Sequence, residues 1–360
     1  MPSAASQPVR PSAKEAARSG AEPTAPAHQA VAVAVLRGLS ASPRSLPPWL
    51  FYDQRGSELF EQITGLAEYY LTRVERSILT AQADAILAAA NPRQQPLTIL
   101  ELGAGSATKT SLLLEAALRQ QPSVDYCALD VSASALAEAE QRLKATLPGL
   151  AVTTRRANYT QDLSVLSDLA RATQDPRCQP LRMVLWIGSS IGNFEPEEAR
   201  ALLGRIRAQL TPGDTLVLGA DYAPSAHKPV STLLRAYADA DGVTADFNRN
   251  VLVRLNRELG ADFKPERFAH EVRWSGPAVC SSSQAARVEM HLKSLTQQRV
   301  SLPELGLTLD FAPGETIHTE NSYKFTPDRM EALLEEAGFA TREQWSDPRH
   351  WFGVSLACVL

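Results

Sequence analysis

Several things are scarce in this chain, and each scarcity excludes something. The four cysteines (Cys127, Cys178, Cys280 and Cys358) lie far apart and form no C-x-x-C pair. Neither a disulfide framework nor a zinc site is therefore expected, and reduced thiols in a cytoplasm are the default. No apolar run approaches the roughly 18 residues that a membrane-spanning helix needs, so no membrane partner is expected. Lys and Arg (36) do not outnumber Asp and Glu (40), and a net charge of −4 argues against a nucleic-acid partner, which demands clustered cations. His227, His270, His291, His318 and His350 are scattered without ligand spacing, so no metal is assigned. The first thirty residues, rich in Ala, Pro and Ser, lack the apolar centre of a signal peptide. Arg10, Lys14 and Arg18 hint at a transit peptide, but the prolines break an amphipathic helix, and a disordered tail over 1–30 is expected.

What is present is an ordinary globular composition. At 44% hydrophobic residues, 360 residues can bury a sizeable core, and that length suggests about two domains. From Val31 onward the pattern becomes periodic. Two helices, broken near Gly65, are expected through "RGSELFEQITGLAEYYLTRVERSILTAQADAILAAA". Short apolar strands then alternate with helical runs. Leu97–Leu102, "VDYCALDVS", "LAVTTRRANY", "RMVLWIGSSIGNF" and "DTLVLGADY" are the strands; Ser111–Gln120, Ala133–Thr146 and Glu195–Gln209 are among the helices. This rhythm argues for an α/β fold with a parallel sheet covered on both faces. After Tyr222 the rhythm changes to helices and then antiparallel strands, and "WFGVSLACVL" reads as a closing strand. Tyr222–Lys324 is therefore read as an insertion into the sheet domain.

The stretch "LTILELGAGSATKT", Leu97 to Thr110, runs from a strand into a glycine turn and ends near a lysine. Two familiar nucleotide loops are excluded by what it lacks. A dinucleotide turn needs a third glycine, and Ala107-Thr108 stand there; a phosphate loop needs a glycine directly before Lys109. Gly103 and Gly105 still allow a ligand to approach the backbone closely. Asp130 ends the next strand, where a carboxylate can accept both hydroxyl hydrogens of a ribose. Asn158 and Tyr159 follow the third strand, placed to meet an adenine edge and face. With Glu101 completing E-L-G-x-G, the set suits an adenosine carrying a sulfonium amino acid: S-adenosylmethionine (SAM). Taken singly, the glycines could merely turn the chain and Asp130 cap the next helix; their joint spacing favours the ligand.

Longer segments carry a resemblance. "FYDQRGSELFEQITGLAEYYLTR", "ELGAGSATKT", "IGSSIGNFEPEEA", "RAYADADGVTADFNRNVLVRLNRELGADF", "RVEMHL" and "TENSYKF" together resemble the histidine-specific Nα-methyltransferases of ergothioneine biosynthesis, from about Pro43 to the C-terminus. The resemblance implies a Rossmann-like class I SAM-dependent methyltransferase sheet with an inserted α+β substrate-binding domain. It divides the chain into a tail (1–30), the N-terminal part of the substrate-binding domain (31–73), the SAM-binding domain (74–221), the insertion (222–324) and a C-terminal completion of the sheet domain (325–360). It implies trimethylation of the α-amino group of L-histidine to hercynine with SAM as methyl donor; with the cysteine and histidine patterns above, a cytoplasmic monomer without a metal is expected. The residues implied for the cofactor are Gly103, Lys109, Asp130, Asn158 and Tyr159. Those implied for the substrate are Tyr69, Gly188, Asn193, Tyr237, Met290, Glu320 and Ser322, and Asn193 with Tyr52 would serve catalysis. Asn193 and Tyr237 would hold the α-carboxylate and amino group, Glu320 and Ser322 the imidazole.

Without the resemblance many of these residues remain ambiguous. Tyr52, Tyr69 and Tyr237 read equally as core aromatics, Met290 as core, Asn193 as a turn residue and Glu320 as a surface strand residue. His291 and His318 are expected on the faces of their strands opposite Met290 and Glu320. Two departures from the family pattern stand out. Asn158-Tyr159 replaces an acid followed by phenylalanine, and the Asn158 carbonyl is expected to accept from the adenine amino group. Leu71 stands where proline is usual and is expected to loosen the loop around Tyr69. Two rival readings remain at this point: a methyltransferase acting on tryptophan-derived alkaloid precursors, and a non-catalytic SAM-binding regulator.

Overall fold

A computed structural model describes residues 25–168, 180–280 and 285–359. The chain opens with α1 (Ala25–Ser40), the two-residue strand β1 (Arg44–Ser45), α2 (Gln54–Gly65) and α3 (Tyr70–Ala90). There follow β2 (Leu97–Leu102), α4 (Ser111–Gln120), β3 (Val124–Asp130), α5 (Ala133–Thr146), β4 (Leu150–Arg156) and α6 (Ser164–Asp168). Next come β5 (Leu181–Trp186), α7 (Pro196–Ala208), β6 (Thr215–Asp221), α8 (Val230–Tyr237) and α9 (Val243–Leu259). Strands β7 (Phe268–Ser275), β8 (Ala286–Ser294), β9 (Gln298–Leu302), β10 (Leu307–Phe311) and β11 (Thr316–Lys324) precede α10 (Pro327–Glu336), β12 (Phe339–Ser346) and β13 (Phe352–Val359).

The expected helices form for local reasons. Asp53 caps α2 by accepting from the Gly56 amide, and Ser132 caps α5 by accepting from the Ala135 amide. Pro196 starts α7 inside a reciprocal capping box between Glu195 and Glu198. The helix cap after β3 is thus Ser132, which leaves Asp130 for another task. Helix α1 begins at Ala25, so the tail boundary expected at residue 30 falls inside it. The remainder of that expectation, 1–24, lies outside the described residues.

The main sheet has seven strands in the order β12-β13-β6-β5-β2-β3-β4. Strands β4, β3, β2, β5 and β6 are mutually parallel, whereas β13 runs antiparallel between β6 and β12. Alternate residues of its inner strands feed two separate cores. Leu100, Leu102, Val184 and Trp186 pack on one side, and Ile99, Met183, Leu185 and Val217 on the other. That is the apolar-on-both-faces pattern of a parallel sheet covered by helices. The strand order places the first switch point between β2 and β5, where ligands bind beyond the strand ends.

A second sheet, β1-β11-β8-β7, is built from the inserted segment plus β1 near the N-terminus, which pairs in parallel with β11. Gly103, at the end of β2, and Glu320, in β11, line the same cleft between the two sheets. The boundary expected between residues 73 and 74 falls within α3, a continuous helix of 21 residues.

Candidate active site

A cleft of about 1550 Å³ opens where the strands of the main sheet end, between it and the inserted sheet. All thirteen residues expected at the site from the sequence line it. The half expected from the sequence to hold the cofactor is built by the turn after β2. Gly103 and Gly105 adopt φ values of 73° and 52°, the left-handed region glycine enters at no steric cost. Ala107 holds φ 51° with its side chain 3% exposed, so the missing third glycine is replaced by a buried, strained alanine. Glu101, 2% exposed, accepts from the Thr110 hydroxyl at 2.6 Å and from the Tyr126 hydroxyl. It ties the turn to its strand and helix, and burial pushes its carboxyl up to about 7.

Asp130 accepts from the Gly105 amide (2.8 Å, Oδ2) and from the Ser132 amide (2.8 Å, Oδ1). Each oxygen keeps a lone pair directed away from those bonds, which fits a ribose diol. Burial raises its pKa, with the two amides opposing the shift. Tyr159 lines the cleft beside Gly103, where a Cβ on that glycine would lie 3.5 Å from the tyrosine ring, and packs edge-on against Trp186.

Asn158 departs from expectation. Its side-chain carbonyl accepts from both the amide (3.0 Å) and the hydroxyl (2.7 Å) of Thr160. Those bonds fill the carbonyl's two lone pairs, so Asn158 offers the cleft its NH₂ donors, and the expected acceptor of an adenine amino hydrogen is unavailable. Lys109 donates to Glu75, whose other oxygen accepts from the Gly188 amide at 2.8 Å. Glu75 is fully buried on α3 and also lines the cleft. Sequence reasoning missed it, because a glutamate in "YYLTRVERSIL" reads as the polar face of a helix.

The other half of the cleft is aromatic. Tyr52 contacts Phe60 (5.6 Å between centroids) and Phe247 (5.7 Å); Phe60 also contacts Tyr69 (6.3 Å), and Tyr69 contacts Tyr237 (6.2 Å). Phe60 and Phe247 were not expected at the site. Aromatics at helical spacing look like core, and these two are core on one edge and wall on the other. Burial holds the Tyr52, Tyr69 and Tyr237 hydroxyls well above their ordinary pKa, so all three stay protonated. Around Tyr69, Arg73 donates to the carbonyls of Leu66, Ala67 and Tyr69, and Leu71 is 3% exposed inside the first turn of α3.

Gly188, at φ 84°, and Ser189, at φ 62°, reverse the chain after β5 and lead into a short 3₁₀ turn, Ser190–Asn193. That turn places Asn193 at the cleft against β11. A register shift in the pairing of β11 with β8 lies between His318 and Glu320, setting Glu320 opposite Met290 and His318 opposite His291. The bulge flips the strand's alternation. The rings of His291 and His318 meet each other at 5.0 Å, on the other face from Met290 as expected, although His318 still reaches the cleft's edge.

Glu320 is 8% exposed, and no protein group among the described residues bonds its carboxylate. Burial pushes it up to about 8, opposed by the positive charge of Lys324. The Tyr237 and Ser322 hydroxyls, expected at opposite ends of the substrate, are instead 2.6 Å apart and share a hydrogen bond. Among the described residues no group of three or more His, Cys, Asp or Glu is placed to hold a metal ion, and no helix is long and apolar enough to cross a membrane.

Comparison with known proteins shows the family. The family model of histidine-specific, SAM-dependent methyltransferases matches residues 31–359. A histidine N-alpha-methyltransferase of Mycolicibacterium smegmatis is 40% identical over 323 residues, covering 90% of this chain and 93% of the relative. One from Mycobacterium tuberculosis is 38% identical over 331 residues, covering 92% and 95%. Ergothioneine biosynthesis protein 1 of Schizosaccharomyces pombe is 28% identical over 298 residues, 82% of this chain but 36% of that longer protein. The chain belongs to the family of histidine-specific, SAM-dependent methyltransferases.

Proposed function

We propose that this chain trimethylates the α-amino nitrogen of L-histidine to hercynine, as a cytoplasmic monomer, with the cleft divided between donor and acceptor as follows. Asp130 holds the ribose of SAM, Tyr159 and the Asn158 NH₂ meet the adenine, and Lys109, steadied by Glu75, faces the amino-acid end. Bound SAM supplies an activated methyl group whose transfer moves positive charge from sulfur to nitrogen. Little charge is created, so the protein's task is positioning and exclusion of water. The wall of Tyr52, Phe60, Phe247 and Tyr69 excludes water and favours a methylated ammonium over its faces. Tyr52 and Tyr69, kept as phenols, can orient the amine but are too weakly acidic to act as phenolate bases. The Asn193 side-chain carbonyl orients the amine's N–H. Each of the first two transfers leaves an N–H proton that passes to solvent before the next round, and the third leaves none.

The observation that carries the reading is Glu320. A nine-tenths buried carboxyl without a protein partner, beside apolar Met290, calls for a ligand N–H. A ring N–H supplies that partner and draws the group back toward its ionised form. Tryptophan-derived substrates would suit an apolar residue at this position.

The test is Glu320→Ala. Loss of a charge-assisted hydrogen bond of roughly 1.5–3 kcal/mol should raise the apparent Michaelis constant for histidine. The maximal rate should change less, since the ring is remote from the reacting nitrogen. Combined with Met290→Val, the change should shift the ratio of catalytic efficiencies for histidine and tryptophan toward tryptophan. An unmoved ratio would mean that Glu320 does not read the ring.

A further inference from the structure

The cleft is lined by one acid, Glu75 on α3, whose side chain is otherwise fully buried. One of its carboxylate oxygens, Oε1, accepts from the Gly188 amide at 2.8 Å, and the other, Oε2, accepts from the Lys109 ammonium. The two donors come from the turns after β5 and β2, the neighbouring strands that flank the switch point. Two glycines make room for this arrangement. A Cβ on Gly219, in β6, would overlap Oε1 of Glu75, and a Cβ on Gly188 would lie 3.2 Å from the lysine Nζ.

Lys109 itself lines the cleft, with 20% of its side chain exposed. An ammonium has three hydrogens, and among the described residues Glu75 is its one acceptor. Two hydrogens are therefore left for a ligand. A lysine without an anchor would spread its charge over the many rotamers of a four-carbon stem; here a carboxylate fixed to backbone holds it in one place. Removing the charge of Glu75 has two opposed effects. It deletes a competing anion, which favours a ligand carboxylate at Lys109, and it deletes the anchor, which disfavours one. Geometry decides between them. In Glu75→Gln a single carbonyl oxygen remains. If it serves the Gly188 amide, the new NH₂ faces the ammonium, donor against donor. If the amide turns round, the NH₂ faces a backbone N–H that cannot swing away. Either way the mobile lysine gives ground.

We infer that Glu75 is a positioning residue for the methyl donor: it holds the Lys109 ammonium at the Gly188 turn, so that the cleft selects a donor whose amino-acid end carries a free carboxylate. The inference rests on the reading above that puts the amino-acid end of SAM at Lys109, and adds how that end is selected. A carboxylate at this point takes the two spare hydrogens in charge-assisted bonds. A donor without the carboxylate leaves them unmatched in a partly buried place.

The test measures, by calorimetry, the binding of S-adenosylhomocysteine and of its decarboxylated analogue, which differs only in the missing carboxylate. Parent protein should prefer S-adenosylhomocysteine by roughly tenfold or more. In Glu75→Gln the preference should fall below about threefold, with S-adenosylhomocysteine weakened and the decarboxylated analogue bound as by the parent. An acid that served only the fold would weaken both ligands together and leave the preference unchanged. That result, or a preference that rises, would overturn the proposal. Should Glu75→Gln fail to fold, Glu75→Asp, whose carboxylate is one methylene too short to bridge Lys109 and Gly188, must lower the same preference. A parental ratio in that variant would equally overturn it. A parent without the preference would instead sink the placing of the SAM carboxylate at Lys109, on which the inference rests.

Discussion

In the reading proposed above, Glu320 couples ligand recognition to stability through a single side chain. Its carboxyl moves from an ordinary 4.5 to about 8 because burial penalises the charged form. Between those values the folded protein holds a proton that the unfolded chain has released, so the free energy of unfolding falls as pH rises through this window. Below the window Glu320 contributes nothing to the pH dependence; above about 8 its full penalty is present. Glu320→Gln cannot titrate. Without ligand, its melting temperature should therefore gain on the parent's as pH goes from about 5 to about 9. Thermal melts that stay parallel over that range would show that the carboxyl is solvated in the empty site. In the proposed reading the same desolvation favours a ligand that brings the carboxylate an N–H.

At the scale of elements, the site depends on close backbone contact between the 3₁₀ turn Ser190–Asn193 and β11. A Cβ on Gly192 would lie 2.7 Å from the Tyr323 carbonyl oxygen and 3.1 Å from its amide nitrogen. No side-chain rotation relieves a clash with backbone, so Gly192→Ala must push the turn off the strand. Asn193 would move with it, away from Glu320 and Ser322. Histidine binding should weaken by roughly tenfold to hundredfold, and SAM affinity, which the proposed division of the cleft assigns to its far side, should change much less. Calorimetry with both ligands checks this; equal losses would mean a general collapse.

Elements also show what was legible in the sequence. Helices α4 and α5 begin and end where their periodicity does, because each is a single amphipathic run between turn residues. Strand β12 was not foreseen: "FATREQWS" is an edge strand whose middle faces solvent, so it has no apolar signature. Motif matching reached the thirteen cleft residues. Phe60 and Phe247 lie inside the matched motifs and Glu75 just beyond one, yet none was assigned to the site, because their places on the cleft wall are created by packing between distant segments. Nor did motif matching foresee the Asn158–Thr160 bonds, which depend on how the chain turns after β4.

For the molecule as a whole, the N-terminal segment is part of the architecture. Val31, Val35 and Leu39 of α1 are 1%, 0% and 1% exposed, and each contributes roughly 1.5–3 kcal/mol by burial. Strand β1 extends the inserted sheet, so both ends of the substrate half are tied to one core. A chain starting at Ser42 should melt well below one starting at Ala25, by an amount comparable to much of a typical domain's net stability. Equal melting temperatures would mean that α1 is an accessory.

The division of the cleft between a SAM half and a histidine half is tested most directly by mass. Purified protein is incubated with SAM and each of the common amino acids in turn, and products are followed over time by mass spectrometry. The account predicts that histidine alone gains methyl groups, ending at three, all on the α-nitrogen. Methylation confined to another aromatic amino acid, or histidine methylated on its ring, would contradict it.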